Sequence, residues 1–155
     1  MKSNSIYEQA AQFSQWYGDG ADGMCPTVAQ WEHILKQPKE KPITLINYFK
    51  LRERALYRDE AGKSDGAVSG QAAFDSYAAV SIPTMERVGG NFLFVGPFGG
   101  TFLGETESWD IVAIGSYPTL NALIDLYSDK DYRTAFPHRT AACERQKVLF
   151  CGDPE

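Results

Sequence analysis

Few side chains of this 155-residue chain can act as acids or bases near neutral pH, because it contains only two histidines. One of them, His138, lies in the segment AFPHRTAAC between Pro137 and Arg139. An imidazole has an ordinary pKa of about 6.5, so His138 is a candidate general acid or base. Pro137 suits the first position of a helix and predicts His138 in the first turn. The alternative is an imidazole that only hydrogen-bonds to backbone there.

Two further polar residues are candidates for contacting a ligand. Arg139 could hold a carboxylate or a phenolate through two hydrogen bonds, or it could form an ion pair with Glu86 or Asp131 that only ties elements together. Asn47 lies within the apolar strand segment PITLINYFKL, residues 42–51, where a buried amide must find hydrogen-bond partners. Asn47 therefore predicts either a ligand contact or an inert network between strands.

The remaining candidates would shape a substrate pocket. Trp109 and Asp110 are neighbours on a predicted strand, so their side chains point to opposite faces and cannot both line one pocket. Asp110 could orient His138 or pair with Arg52 or Arg139, and the alternative is a structural ion pair at the start of the strand. The predicted substrate-binding residues are Trp109, Phe94, Tyr48, Arg52 and Asp110. The tyrosines that we interpret as core-edge residues with hydroxyls in solvent are Tyr48, Tyr77, Tyr117 and Tyr132.

Composition indicates one globular domain with a real core, since 43% of the residues are hydrophobic and 13% are aromatic. Fifteen basic against twenty acidic side chains give a net charge of -5, which disfavours nucleic-acid and anionic-membrane partners. Three cysteines at unrelated spacings favour a reducing cytoplasm over a disulfide framework. No apolar run has the length of a signal peptide or a membrane span.

We predict neither a metal nor a cofactor. His138 and Cys143 are five residues apart, which does not place them on one helix face as a ligand pair, and His33 is far away in sequence. The segment GPFGGTFLG lacks the spacing and the lysine of a phosphate-binding loop, so its glycines predict tight turns.

Hydrophobic spacing predicts the elements that must position these residues. Apolar residues three and four apart predict helices over 5–17 and 28–35, which form an N-terminal helical extension, residues 1–38, packed on a body of residues 39–155. The predicted elements of the body are strand 42–51, loop 58–70, helix 71–88, strands 91–98, 101–105 and 108–117, a helix from Pro118, a helix over 130–143 broken near Pro137, and strand 146–151.

With residues 91–117 taken as an irregular hairpin, the order of elements is β-α-β-β-α-β. This is the ferredoxin-like arrangement, an α+β fold whose four-stranded antiparallel sheet carries its helices on one face. We expect Leu45, Phe49 and either Phe92 or Phe94 to make the other face apolar. The chain is therefore predicted to dimerise through this open face.

Several segments together resemble the DUF1330 family of the dimeric α/β-barrel superfamily, in which two ferredoxin-like subunits pack sheet to sheet. They are TLINYFKLRERALY, ERVGGNFLFVGPF, SWDIVAIGSYP, DYRTAFPHRTAA and the closing strand, and the likeness runs from about residue 26 to residue 151. The resemblance implies the fold and a homodimer, while the family itself has no assigned function. The first twenty or so residues lie outside the family pattern, and we expect their helix to cover a partner subunit or a pocket mouth.

The wider superfamily implies a site between the sheet and the helices of each subunit. It includes cofactor-free and haem-degrading monooxygenases, chlorite dismutases, muconolactone isomerases and polyketide cyclases. A first-strand asparagine that points into the pocket supports a role for Asn47, and the placement of the HR pair supports one for His138. The proximal histidine of the haem-degrading branch would fall nearer Phe136 than His138, which weakens the case for haem.

Two functions from different classes follow. The first is a cofactor-independent monooxygenase, isomerase or lyase acting on an apolar or aromatic substrate, with His138 as acid or base and with Asn47 and Arg139 stabilising a developing oxyanion. The second is a non-catalytic dimeric ligand-binding or regulatory module. Convergence of His138 and Asn47 on an open pocket would favour the enzyme, and a filled cleft would favour the module.

Overall fold

A computed structural model of the chain describes residues 2–58 and 68–152, with side chains from residue 6 onward, so most of the predicted loop 58–70 lies outside the described residues. The fold class is α+β, as predicted. The elements in chain order are α1 (Lys2–Tyr17), α2 (Val28–Leu35), β1 (Ile43–Leu51), α3 (Gly70–Arg87), β2 (Asn91–Pro97), β3 (Ile111–Tyr117), α4 (Leu120–Ser128), α5 (Lys130–Ala142) and β4 (Cys143–Cys151).

The four strands form one antiparallel sheet in the order β2-β3-β1-β4. β1 is rich in β-branched and aromatic residues and lies inside the sheet, where it pairs on both sides: Asn47 is opposite Ala113 of β3 and Val148 of β4. Because side chains alternate along a strand, Leu45, Asn47 and Phe49 share one face, and Ile46 lies on the other.

Helices cover the face of the sheet that carries Leu45 and Phe49. Leu45 belongs to a core cluster with Tyr77 of α3, and the ring of Phe49 lies edge-on to that of Phe74, 4.8 Å away between centroids. The prediction that Leu45 and Phe49 lie on the open face is therefore wrong. Both faces of β1 are apolar, and the periodicity of the strand does not tell which one the helices cover.

The open face carries a row of four large apolar residues, one from each strand. Phe94 is opposite Ile114, Ile114 is opposite Ile46, and Ile46 is opposite Leu149, so their side chains share one face. We call these four residues the apolar row. Its two ends are well exposed, with Phe94 at 49% and Leu149 at 45%.

Helix α5 begins at Lys130, seven residues before Pro137, rather than at the proline. The side chain of Asp129 accepts a hydrogen bond from the backbone N–H of Tyr132 at 3.0 Å, which caps the first turn, and the helix continues through Pro137 to Ala142. The predicted break near Pro137, with His138 in a first turn, is wrong. A proline removes one helical hydrogen bond, and close packing of α5 on α3 keeps the helix continuous.

One predicted strand is absent, and the starts of two others differ from the prediction. Residues 101–105 form no strand, because Gly100 and Gly104 adopt φ values of 134° and 101° that an extended strand does not contain. β3 begins at Ile111 rather than at residue 108, and β4 begins at Cys143 rather than at residue 146.

The N-terminal helices pack against each other and against the helical side of the body. Phe13 of α1 stacks on Trp31 of α2 with 4.3 Å between ring centroids. The Tyr17 hydroxyl donates a hydrogen bond to the carbonyl oxygen of Tyr127 in α4, at 2.6 Å. Among the residues that the structure describes, no helix has the length and apolar character needed to cross a membrane.

Asp129 provides a direct test of the α4–α5 junction. Burial opposes its ionised form, but hydrogen bonds from the N–H of Tyr132 and from the guanidinium of Arg87, 2.8 Å away, outweigh this and lower its pKa. We expect Asp129→Ala to reduce the free energy of unfolding by about 1 kcal/mol, as loss of a helix cap usually does. Urea denaturation at pH 7 measures this change.

Asp129→Asn, which keeps an acceptor for the cap, isolates the contribution of the charge. Because the folded-state pKa is lowered, the carboxylate stabilises the fold above its unfolded-state pKa of about 3.9 and loses this effect as the pH falls through the folded-state value. The stability difference between wild type and Asp129→Asn should therefore be present at pH 7 and absent near pH 2. An equal difference at both pH values would contradict this account.

Candidate functional site

A cavity of about 100 Å³ lies between the sheet and helices α3, α4 and α5; we call it the sheet–helix cavity. Most of its wall is aromatic or aliphatic. Two wall residues are well exposed, Ile82 of α3 at 42% and Val95 of β2 at 56%. The mouth of the cavity therefore lies between α3 and the edge strand β2. The volume is somewhat below the roughly 150 Å³ that admits benzene in an engineered cavity. The cavity thus suits a small organic molecule.

Arg139 is the charged residue that the described part of the chain places in this wall. It lies near the end of α5 and is only 4% exposed. Its Nε donates to Oε1 of Gln146 at 2.8 Å, and its Nη1 donates to the hydroxyl of Tyr77 at 3.0 Å. The guanidinium also lies over the rings of Phe49 and Phe136, 4.8 and 5.2 Å from their centroids.

The charge of Arg139 has no carboxylate partner within residues 2–58 and 68–152. The ion pairs with Glu86 or Asp131 that the sequence allowed are not formed. Burial opposes the charge, but the phenol oxygens of Tyr77, Tyr127 and Tyr132 outweigh it and raise the pKa of Arg139 well above its usual range. The wall therefore carries a positive charge that no carboxylate of the described residues neutralises, which is costly in a protein interior.

Arg139 and nearby phenol hydroxyls together form a polar end of the cavity. The hydroxyls of Tyr77 and Tyr132 lie 2.7 Å apart, and both residues line the cavity together with Tyr127. Burial raises the pKa of Tyr132 and that of Tyr127, so both phenols are neutral at physiological pH and can donate hydrogen bonds. The polar end thus offers a cation and hydroxyl donors, which suits an anion or a developing oxyanion.

Asn47 lines the same cavity from β1. Its Nδ2 donates to the carbonyl oxygen of Ala113 on β3 at 3.0 Å. Its Oδ1 has no hydrogen-bond partner among the described residues and remains available as an acceptor. The amide is thus engaged between strands through Nδ2, and its contact with a ligand stays a prediction.

His138 lies outside the sheet–helix cavity. It lines an outer groove between α3 and α5, where other lining residues include Ser76, Thr84 and Thr134. Its Nδ1 lies 2.7 Å from the hydroxyl of Tyr57. Since successive residues of a helix point about 100° apart, α5 directs Arg139 inward and His138 outward. The structure therefore brings Asn47 and Arg139 to one cavity and separates both from His138.

Three of the predicted substrate-binding residues lie on the open face of the sheet or beside it. The ring of Trp109 lies 5.6 Å from that of Tyr48, and its Nε1 donates to Glu107 at 2.7 Å. Phe94 is one end of the apolar row. The sheet separates these three residues from the cavity, whose walls do not include them.

The other two, Asp110 and Arg52, lie at strand ends. Oδ2 of Asp110 accepts from the N–H of Leu51 at 2.7 Å, and Oδ1 lies 3.6 Å from Nζ of Lys50. Asp110 therefore forms a structural ion pair at the start of the strand, which was the alternative to its orienting His138. The N–H of Arg52 donates to the carbonyl oxygen of Ala142 at 2.8 Å. Neither residue lines the cavity.

Sequence reasoning missed the phenols and Gln146. The interpretation of Tyr77 and Tyr132 as core-edge residues with hydroxyls in solvent is wrong, because both are buried and bonded to each other. The signal that was available is their position on the apolar faces of α3 and α5.

Within the described ranges, no group of three or more histidine, cysteine, aspartate or glutamate side chains could hold a metal ion.

Comparison with known proteins finds one protein family and similar solved structures, and the family has no assigned function. The family model described as Domain of unknown function (DUF1330) matches residues 64–152. RPA0582, a protein of unknown function from Rhodopseudomonas palustris, is 32% identical over 85% of this chain and 97% of that one, with a TM-score of 0.74. The crystal structure of methylated RPA0582 gives 31% identity, coverage of 85% and 95%, and a TM-score of 0.75. A search of curated proteins finds no match.

The unneutralised charge leads to a prediction about stability. Breaking a buried ion pair usually costs about 3–5 kcal/mol because one charge is left alone. Arg139→Met leaves no such charge, so we expect the free energy of unfolding to change by less than about 2 kcal/mol in either direction. Leu123→Ala, a truncation in the same core, is the control and should cost about 2–5 kcal/mol. A loss at Arg139→Met as large as that of the control, measured in urea, would show that the guanidinium is a structural requirement.

Proposed function

Because the chain belongs to the DUF1330 family, which carries no assigned function, we propose a function from its own residues: it binds a small organic anion in the sheet–helix cavity. The observation that carries the proposal is Arg139, a guanidinium only 4% exposed at the cavity wall with no carboxylate partner among the described residues. An anionic ligand would supply the missing counter-charge.

The ligand's two ends would meet different parts of the wall. The anionic group lies against Arg139 and the hydroxyl of Tyr77, while an apolar body packs against Phe74 and Phe92. Entry is at the mouth between Ile82 and the edge strand. The cavity volume of about 100 Å³ restricts the body to a short chain or a single small ring.

Catalysis at the same cavity is the second candidate, a cofactor-independent monooxygenase, isomerase or lyase. The hydrogen-bonded series from Arg139 through Tyr77 to Tyr132 supports it, because a cation and phenol hydroxyls can stabilise an enolate or other oxyanion. Asn47 and Arg139 keep their expected roles in this candidate. Tyr77 takes the role of proton donor in place of His138, which lies in the outer groove.

We further propose that the chain forms a homodimer through the open face of the sheet. The apolar row supports this, since a monomer leaves Phe94 and Leu149 about half exposed. The order β1-α3-β2-β3-α4-α5-β4 agrees with a ferredoxin-like subunit of a dimeric α/β barrel, with α4 and α5 in the position of one helix.

A cytoplasmic location completes the proposal. The three cysteines, Cys25, Cys143 and Cys151, are free thiols, which agrees with a reducing compartment. Burial raises the pKa of Cys143 to about 11, so this thiol is unreactive at neutral pH. We propose no nucleic-acid partner, because the net charge is -5.

The binding proposal is tested by calorimetric titration with butyrate, cyclopentanecarboxylate and benzoate, each paired with its neutral amide. We expect at least one carboxylate to bind and its amide to bind at least tenfold more weakly. Arg139→Met should weaken carboxylate binding about 10- to 150-fold, the factor that corresponds to a hydrogen bond to a charged group. His138→Ala is the matched control from the next position of α5 and should bind like wild type.

Two results would contradict the proposal. Equal affinity for carboxylate and amide would remove the role of the charge. Equal loss of affinity in His138→Ala and Arg139→Met would remove the assignment to this cavity.

The enzymatic candidate makes a separate prediction for any ligand that the protein turns over. Tyr77→Phe, which removes the hydroxyl next to Arg139, should lower kcat at least tenfold and change KM little, because the phenol would act mainly in the transition state. Steady-state kinetics of Tyr77→Phe and His138→Ala give the comparison. A loss of kcat in His138→Ala alone would assign the acid–base role to His138 in the outer groove.

A further inference from the structure

The connection between β2 and β3, residues 98–110, presents two large apolar side chains to solvent. Phe102 is 100% exposed and Leu103 is 86% exposed, the highest values among the large hydrophobic residues described. Adjacent, fully exposed apolar residues at a loop tip commonly mark a contact surface.

The rest of this connection is fixed to the sheet. The N–H of Phe98 donates to the carbonyl oxygen of Asp110 at 3.1 Å, which closes the base of the loop. The N–H of Glu107 donates to Oγ1 of Thr101 at 3.0 Å, directly beside the tip. These bonds hold residues 101 and 107 together, so the exposure of Phe102 and Leu103 belongs to an ordered loop.

The returning half of the loop crosses the open face towards β4. The carboxylate of Glu107 pairs with Nζ of Lys147 at 3.2 Å. The guanidinium of Arg145 lies 4.2 Å from the ring of Trp109, and that ring packs on Tyr48 of β1. The loop is thus attached beside the apolar row, since Tyr48 and Ile46 share the open face.

We propose that residues 98–110 form an arm that embraces a second copy of this chain, with Phe102 and Leu103 packed on the partner. This inference rests on the proposed homodimer and names the residues that complete its interface. The second copy is the favoured occupant because one chain carries both surfaces. In a two-fold contact each copy offers its arm and its apolar row, and each receives those of the other.

The area required for a stable dimer supports the same occupant. A standard interface buries about 800 Å² on each partner. The apolar row falls short of this, because its most exposed members, Phe94 and Leu149, are only about half exposed. A fully exposed phenylalanine contributes roughly 150–250 Å², so Phe102 with its neighbour Leu103 would add a large part of the remainder.

Charge argues against a membrane as the occupant. Glu105 and Glu107 lie within four residues of the apolar tip, and the chain has a net charge of -5. Arms that insert into anionic bilayers usually carry lysine or arginine next to their apolar residues.

Analytical ultracentrifugation of the full chain between about 1 and 100 µM tests the arm. We expect wild type to be dimeric, and the double variant Phe102→Asp with Leu103→Asp to raise the dimer dissociation constant at least 100-fold. Both sites are exposed, so the variant should keep the circular dichroism of wild type. Val28→Asp with Leu56→Asp, which changes two apolar residues that are 40% and 44% exposed outside the sheet, is the matched control and should leave the dissociation constant unchanged.

The outcomes separate the arm from the dimer itself. A wild-type dimer whose dissociation constant changes less than threefold in the arm variant overturns the arm and leaves the dimer standing. A wild type that is monomeric at 100 µM overturns both. Binding of monomeric wild type to vesicles of phosphatidylcholine and phosphatidylserine, lost in the arm variant, would assign the tip to a membrane and overturn the proposal.

Discussion

The buried charge of Arg139 constrains how the elements around the sheet–helix cavity pack. Removing a guanidinium from water is costly, and the described residues compensate it with a phenol, an amide and aromatic rings rather than with a carboxylate. These groups come from different elements: Tyr77 from α3, Gln146 from β4 and Phe49 from β1. The packing of α5 on α3 and of both on the sheet therefore has to be held closely enough to keep three separate contacts with one cation. These contacts include no carboxylate of the described residues, which is why an anion is the ligand that we propose.

Continuity of α5 through Pro137 decides which side chains can meet. In an uninterrupted helix the direction changes by about 100° per residue, so burying Arg139 requires His138 to face the outer groove. There it meets Tyr57 rather than Asn47. His138 and the buried cation are thus neighbours in sequence and belong to different surfaces. For this reason the position of His138 in the sequence does not locate the cavity.

The sequence predicts the elements well where the signal is local and poorly where it depends on distant partners. Alternation in β1 and the order of the elements follow from periodicities of two and about four residues. The covered face of β1 does not, because Leu45 and Ile46 are equally apolar. At the site, Asn47 stood out as an amide in an apolar strand, whereas the importance of Tyr77 arises from Tyr132, 55 residues away along the chain. No local pattern could have paired those hydroxyls, and the cap at Asp129 outweighed the local signal of Pro137.

The alternation of β1 also separates the proposed ligand site from the proposed dimer surface. Asn47 points to the sheet–helix cavity, while Ile46 and Tyr48 on either side of it lie on the open face. A substitution on one face leaves the side chains of the other face unchanged, so the cavity and the proposed dimer surface can vary independently. Only the backbone of one strand is common to both, and it is held by antiparallel partners on each side. The sheet therefore separates a small, mostly apolar cavity with a polar end from the apolar surface proposed for association.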